Sequence, residues 1–246
     1  MTSRPEQRID VPETLSSNSV RELAQAIEAA VRDATAEAVV LQGSQETFCK
    51  GLDFEEIAGA GDVSAIEAST REYCRCLTTL RFSDKPTVAL VQGAATGGGV
   101  GLVAACDLVI ASESASFALP EVLFGFAPGM VLPFLLERVP RQTARLWALT
   151  AIKRTANEAF THGLVDQLVS DSALEAELRR WLKLLRRGHR RGISTVKQLC
   201  AVIPGADLSA GVSLGRQSTF EALREPEIVR GIERFMTDGL LPWEAG

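Results

Sequence analysis

A chain of 246 residues can bury a substantial core without a metal or disulfide staple, and 46% hydrophobic with 23% charged residues is an ordinary globular composition. A net charge of −5 argues against a nucleic-acid partner, which needs a basic face, and no run reaches the roughly 18 apolar residues that span a membrane. Five cysteines, an odd number without histidines at zinc-site spacing, are expected to be free thiols rather than disulfide partners or metal ligands. The opening segment up to Glu13 is polar and has no apolar leader, so the expected location is cytoplasmic.

In chain order, Ser19 and Glu22 read as a capping box ahead of Leu23, Ile27 and Val31, which repeat at helical spacing. Val39-Val40-Leu41, closed by Gly43, predicts a short buried strand. The polar stretch 44–48 then leads into Cys49-Lys50-Gly51-Leu52-Asp53. Residues 54–82 read as an irregular helix with a break near Gly59 and Gly61. After Lys85-Pro86, Thr87-Val88-Ala89-Leu90-Val91 predicts a second buried strand, running into Gly93-Ala94-Ala95-Thr96-Gly97-Gly98-Gly99. Residues 100–106 are apolar on every side, as in a helix buried all round, and further strands are expected at 108–111 and 115–118. This is the βαβ pattern of a parallel sheet. Helices are expected at 141–149, 156–162 and 173–187, with breaks at 188–192 and at Pro204-Gly205. The fold class is therefore α/β, with a core over residues 1–190 and a helical region over 191–246 in the same structural unit.

Three consecutive glycines between a strand and a buried helix allow a ligand close to the backbone, and the N–H groups at a helix start lack internal partners. Such a segment suits a phosphate, a developing oxyanion, or simply close packing of helix on sheet. It is no Walker loop, because no Gly-Lys-Ser/Thr follows. Nor is it a dinucleotide fingerprint, because Gly97, Gly99 and Gly101 give G-x-G-x-G without a suitably placed acidic residue. Glu121 stands in Leu119-Pro120-Glu121-Val122-Leu123-Phe124-Gly125. A carboxylate among apolar residues is paired, exposed at the surface, or held with a raised pKa for acid–base work.

Taken together, Phe48-Cys49-Lys50-Gly51-Leu52-Asp53, the segment from Lys85 to Gly93, the three glycines, Ala105-Cys106-Asp107 and Phe117-Ala118-Leu119-Pro120-Glu121 resemble the enoyl-CoA hydratase/isomerase (crotonase) family in order and spacing. The resemblance implies a spiral of ββα turns with a helical C-terminal trimerisation region, assembled as a homotrimer or hexamer. It implies an oxyanion hole from the backbone N–H groups of Leu52 and Gly98, with Gly97 and Gly99 beside the substrate and Glu121 as acid/base. A second glutamate, common in the family's hydratases, falls at the position held here by Gly101.

The segment 117–133, Arg191-Gly192-Ile193 with Lys197-Gln198, and Gly239-Leu240-Leu241-Pro242-Trp243-Glu244 resemble the family's dehydratases of polyketide β-branching cassettes. That resemblance implies dehydration of a 3-hydroxy-3-methylglutaryl thioester on an acyl carrier protein to 3-methylglutaconyl. It implies no cofactor beyond the phosphopantetheine arm of the carrier or of CoA. Ahead of the first helix there is room for little more than a stub of the family's opening hairpin. Lys50, Arg71 and Arg81 are candidates for the substrate's distal carboxylate, and Tyr73 for substrate contact or packing. Asp53 and Asp107 read as fixing turns, and His162 and His189 match no catalytic motif. The basic run that includes Arg186, Arg187 and Arg190 reads as a solvated helix face or as a docking patch for the carrier. A CoA-dependent hydratase or double-bond isomerase is the alternative enzyme, and a non-catalytic binding subunit the alternative class.

Overall fold

The computed structural model describes residues 6–53, 56 and 63–239. The break expected near Gly59 and Gly61, and the terminal motif beyond Gly239, lie outside the described residues. Contacts divide the described residues into two compact units, 6–179 and 180–239.

Among the described residues the first unit holds nine strands: β1 Gln7–Asp10, β2 Val39–Gln42, β3 Thr47–Cys49, β4 Thr87–Val91, β5 Ala94–Thr96, β6 Leu108–Ser112, β7 Ser116–Ala118, β8 Arg154–Thr155 and β9 Gln167–Val169. They form two sheets. One has the order β1-β2-β4-β6-β9 and is parallel throughout. The other has the order β3-β5-β7-β8, parallel except for its last pair. Each of the pairs β2/β3, β4/β5 and β6/β7 steps from the first sheet to the second. Helices Val63–Arg81 and Gly98–Ala105 follow the first two of these steps, giving repeated ββα turns. β4 and β6 are buried along their whole length, as expected of parallel strands covered on both faces.

Several local expectations are corrected. The first helix, Ser17–Arg32, starts three residues earlier than the Ser19/Glu22 pair implies. Ser16 is its N-cap: the Ser19 N–H donates to Ser16 Oγ at 3.1 Å, and the Ser16 N–H donates to Ser19 Oγ at 2.9 Å. A serine thus does the work expected of a glutamate. Its Val20, Leu23, Ala24, Ile27 and Ala30 are buried, and the helix packs on Val63–Arg81. The stub expected ahead of this helix is the single edge strand β1, paired with β2 from Gln7↔Val39 to Asp10↔Gln42. The end of the polar stretch after Gly43, with Cys49, and the residues before the glycine run are also strands, β3 and β5, paired with each other. The central helix takes in Gly98 and Gly99, and all eight of its residues are buried.

Helices at Arg141–Thr150, Ala156–Thr161 and Leu174–Leu185 lie close to the expected ranges. In the second unit, the break at 188–192 closes early, because His189 caps a helix at Arg190–Val202. Helices Leu208–Leu223 and Pro226–Asp238 follow, with Val212, Phe220, Phe235 and Met236 exposed on them. All five cysteines are free, with Cys49, Cys76 and Cys106 buried. No helix among the described residues is long and apolar enough to cross a membrane.

Candidate active site

β3 ends at Cys49, and the chain turns at Gly51 with φ +84°, a conformation that favours glycine. A β-carbon there would also lie 2.8 Å from the Thr96 carbonyl oxygen and 3.0 Å from the Gly98 nitrogen. The Gly51-Leu52 backbone therefore runs directly against the Thr96–Gly98 backbone. Leu52 forms a single parallel bridge with Leu15. The Leu15 N–H donates to the Gly51 carbonyl at 2.7 Å, and the Asp53 N–H to the Leu15 carbonyl at 3.2 Å. Strand alternation then turns the Leu52 N–H away from Leu15.

Gly97 caps the central helix at φ 54°, ψ −117°, and its carbonyl accepts from Val100 at 2.9 Å and Gly101 at 3.3 Å. Gly98 is the first helical residue, so its N–H has no acceptor within the helix. The two N–H groups singled out by the sequence thus belong to adjoining backbones, and Leu52 and Gly98 line one cavity of about 450 Å³.

Glu121 opens a 3-10 turn, Glu121–Phe124, just past β7. Gly125, at φ 84°, closes that turn, and the Phe126 N–H donates to the Glu121 carbonyl at 3.3 Å. The main chain of Glu121 is thereby fixed while its side chain enters the cavity. The residue is 6% exposed, and its Oε2 is buried without a hydrogen-bond partner among the described residues. A β-carbon on Gly97 would stand 3.1 Å from Oε1, so the carboxyl lies against the glycine run. Burial raises the Glu121 pKa above its ordinary value, with a backbone hydrogen bond pulling the other way.

Gly101, the expected departure from the two-glutamate pattern, has a physical counterpart. Tyr73 comes from the Val63–Arg81 helix, and a β-carbon on Gly101 would lie 2.0 Å from its hydroxyl oxygen. No side chain fits at position 101 while Tyr73 is in place. Tyr73 is fully buried, and its hydroxyl donates to the Gly98 carbonyl at 2.6 Å.

Among the described residues that line the cavity, the charged ones are Lys50 and Glu121. Lys50 is half exposed and pairs with Glu13 at 2.5 Å. Phe124, Phe126, Pro128, Met130 and Val131 supply an apolar wall that sequence reasoning did not assign to the site. The stretch 117–133, read as a motif, was the available signal. Gly99 and Arg71, both expected at the substrate, do not line this cavity. A β-carbon on Gly99 would lie 2.3 Å from the Cys49 carbonyl oxygen, so that glycine serves close packing. Arg71 is 74% exposed and pairs with Glu67 at 2.8 Å. Arg81 pairs with Glu137 at 2.6 Å.

Asp107 accepts from the Thr87 N–H and hydroxyl at 2.8 and 2.9 Å, and Asp53 accepts from the Glu56 N–H at 3.1 Å. His162 packs edge-on against Trp147, and His189 lies 3.6 Å from Glu227. In the basic run, Arg187 and Arg190 are exposed and Arg186 is half-buried. No group of three or more His, Cys, Asp or Glu residues suited to a metal occurs among the described residues.

The Enoyl-CoA hydratase/isomerase family model matches residues 6–245. The chain is similar to the bacillaene synthase dehydratase PksH of Bacillus subtilis, with 33% identity over 242 residues, 98% of this chain and 90% of that one. It is also similar to the 2,3-dehydroadipyl-CoA hydratase of Escherichia coli, with 32% identity over 205 residues, 82% and 79% of the two chains. Among solved structures, Pseudomonas aeruginosa AtuE matches with a TM-score of 0.90 and 30% identity, over 98% of this chain and 96% of that one. Human enoyl-CoA hydratase domain-containing protein 3 matches in fold with a TM-score of 0.89 at 24% identity, over 96% of each chain.

Proposed function

Because the chain belongs to the enoyl-CoA hydratase/isomerase (crotonase) family, shares its fold and is a hydratase or dehydratase, a lyase, we propose that it dehydrates a 3-hydroxy-3-methylglutaryl thioester on an acyl carrier protein to the 3-methylglutaconyl thioester. The observation that carries this reading is the Glu121 carboxyl, buried with an unpartnered oxygen and held against Gly97 in the cavity that Leu52 and Gly98 line. Among the described lining residues it is the only carboxylate.

In the proposed reaction the thioester oxygen accepts hydrogen bonds from the Leu52 and Gly98 N–H groups. Glu121 takes the α-proton, and the electrons of the broken C–H bond become an enolate stabilised by those donors. A donor fixed in such a hole contributes about 3 kcal/mol in the transition state. The enolate then re-forms the carbonyl while the Cα–Cβ double bond forms and the Cβ–O bond breaks. The departing hydroxyl takes the proton from Glu121 and leaves as water, and the carboxylate is restored. One carboxylate serving both steps fits a syn elimination, and it fits a chain in which Gly101 supplies no second carboxylate.

Lys50, the cation among the described residues lining the cavity, is the proposed partner of the substrate's distal carboxylate. Arg186, Arg187 and Arg190 are the proposed docking patch for the carrier. The phosphopantetheine arm brings the substrate and no further cofactor is required. The proposed setting is a cytoplasmic homotrimer or hexamer. Support for the substrate comes from the motifs at 117–133 and 191–198, and from a relative whose own name is a synthase dehydratase.

A second reading is a CoA-dependent hydratase or double-bond isomerase, favoured by the similarity to the Escherichia coli 2,3-dehydroadipyl-CoA hydratase. Turnover of the same acyl group on carrier protein and on CoA separates the two. Faster turnover on the carrier supports the first reading, and equal or faster turnover on CoA favours the second.

A further inference from the structure

We propose that Tyr73 is a positioning residue, which anchors the 98–99 peptide through the Gly98 carbonyl, steadies the adjoining 97–98 peptide whose N–H is the donor, and is admitted by the missing side chain of Gly101. The inference rests on the proposed role of the Gly98 N–H and deepens it.

The Tyr73 ring spans one turn of the central helix. A β-carbon at Gly98 would lie 3.4 Å from its Cε2 and Cζ, and one at Gly101 would lie 3.3 Å from Cζ and 2.0 Å from the hydroxyl oxygen. The hydroxyl donates to the Gly98 carbonyl at 2.6 Å, inside the buried core. The need for such a bond follows from the residue it holds. Gly97 and Gly98 carry no β-carbon, so sterics leave their peptide planes freer to tilt than those of other residues. A donor that works by preorganisation loses its effect when its plane can swing. The Gly98 N–H belongs to the 97–98 peptide and the carbonyl to the 98–99 peptide, and the two planes share the Gly98 Cα, so anchoring the second narrows the range open to the first. The phenol is suited to this because burial, with Cys49, Cys76 and Glu121 adding to it, holds its pKa well above the ordinary tyrosine value, so it stays a donor.

Tyr73→Phe keeps the ring and removes only the hydroxyl, so it separates positioning from packing. Two measurements are made on the full chain. The backbone order parameter of the Gly98 amide, read by nitrogen relaxation without any substrate, is expected to fall from about 0.85 toward about 0.6 while the unfolding temperature changes little. Turnover of the acyl thioester is expected to fall about 10-fold to 100-fold in kcat with KM within about 2-fold, part of the loss that follows removal of an oxyanion donor. An unchanged order parameter at Gly98 overturns the proposal, because the hydroxyl then restrains nothing. A lower order parameter with unchanged kcat overturns it as well, because the restraint then does not matter to the reaction. If the parent protein turns over no acyl thioester, the proposed activity fails on that arm, and the relaxation arm still decides whether Tyr73 steadies the Gly98 backbone.

Discussion

The Tyr73 hydroxyl occupies the space in which a side chain at Gly101 would begin, 2.0 Å from the would-be β-carbon. Gly101→Ala therefore forces the phenol or the central helix to move, and overpacking of this kind costs about 1–3 kcal/mol. For a chain of this size that is a fall of several degrees in Tm, at about 2–4 °C per kcal/mol. In a Tyr73→Phe background the nearest ring atom is Cζ, at 3.3 Å, and the added loss from Gly101→Ala should be smaller. Thermal unfolding of the four proteins in this cycle checks the overlap; additive losses would count against it.

Replacing Glu121 by Gln should abolish turnover, by about 10³-fold or more if one group serves both proton transfers. The far-UV circular dichroism spectrum should stay that of the parent. Undiminished turnover would remove Glu121 from the mechanism.

The same substitution should stabilise the protein in a pH-dependent way. The Glu121 pKa is raised by burial, so the folded chain binds this proton more tightly than the unfolded one, whose value is about 4.3. The carboxyl's contribution to stability is then fully present below that unfolded value and is lost as pH rises through the folded value. The glutamine side chain does not titrate, so the Tm advantage of Glu121→Gln should grow from acid to neutral pH. A Tm difference that is flat over that range would contradict the burial of a carboxylate with one unpartnered oxygen. In the parent, turnover needs the carboxylate, so the acidic limb of kcat/KM should have its midpoint above about 4.3.

Lys50 is the one cation among the described residues lining the cavity, and its ion pair with Glu13 is half exposed and so readily exchanged for a substrate carboxylate. Lys50→Met should raise KM about 10-fold for an acyl group with a distal carboxylate and change it little for one without. Steady-state kinetics on the two acyl groups reads this, and equal effects on both would deny Lys50 the role.

Reversing the charges of Arg187 and Arg190, both exposed, should weaken carrier-bound substrate and spare a free pantetheine thioester. Equal KM values for parent and variant on the carrier would remove the basic run from docking.

Much of the fold was legible because its long buried segments carry strong patterns. Val39-Val40-Leu41, Thr87-Val88-Ala89-Leu90-Val91 and the Ser17–Arg32 helix all stand where apolar spacing places them. The strands β3, β5, β8 and β9 are two or three residues long and include small or polar residues, too few to show a period. The edge strand β1 is hidden for a related reason: among its four residues only Ile9 is buried. At the site, it was the resemblance of the ordered motifs to the crotonase family, and not the glycine run alone, that named Leu52, Gly98 and Glu121 together in advance. The partnership of Tyr73 with Gly101 was not readable, because it depends on two helices far apart in sequence meeting at van der Waals distance. The same holds for Gly99 and Arg71. Only the packing shows that one faces the Cys49 backbone and the other an exposed ion pair.

The most direct test of the account is mass spectrometry of 3-hydroxy-3-methylglutaryl carrier protein incubated with the parent and with Glu121→Gln in parallel. The account predicts loss of one water from the acyl chain with the parent and an unchanged mass with the variant. An unchanged mass with the parent, or the same loss with both proteins, would contradict it.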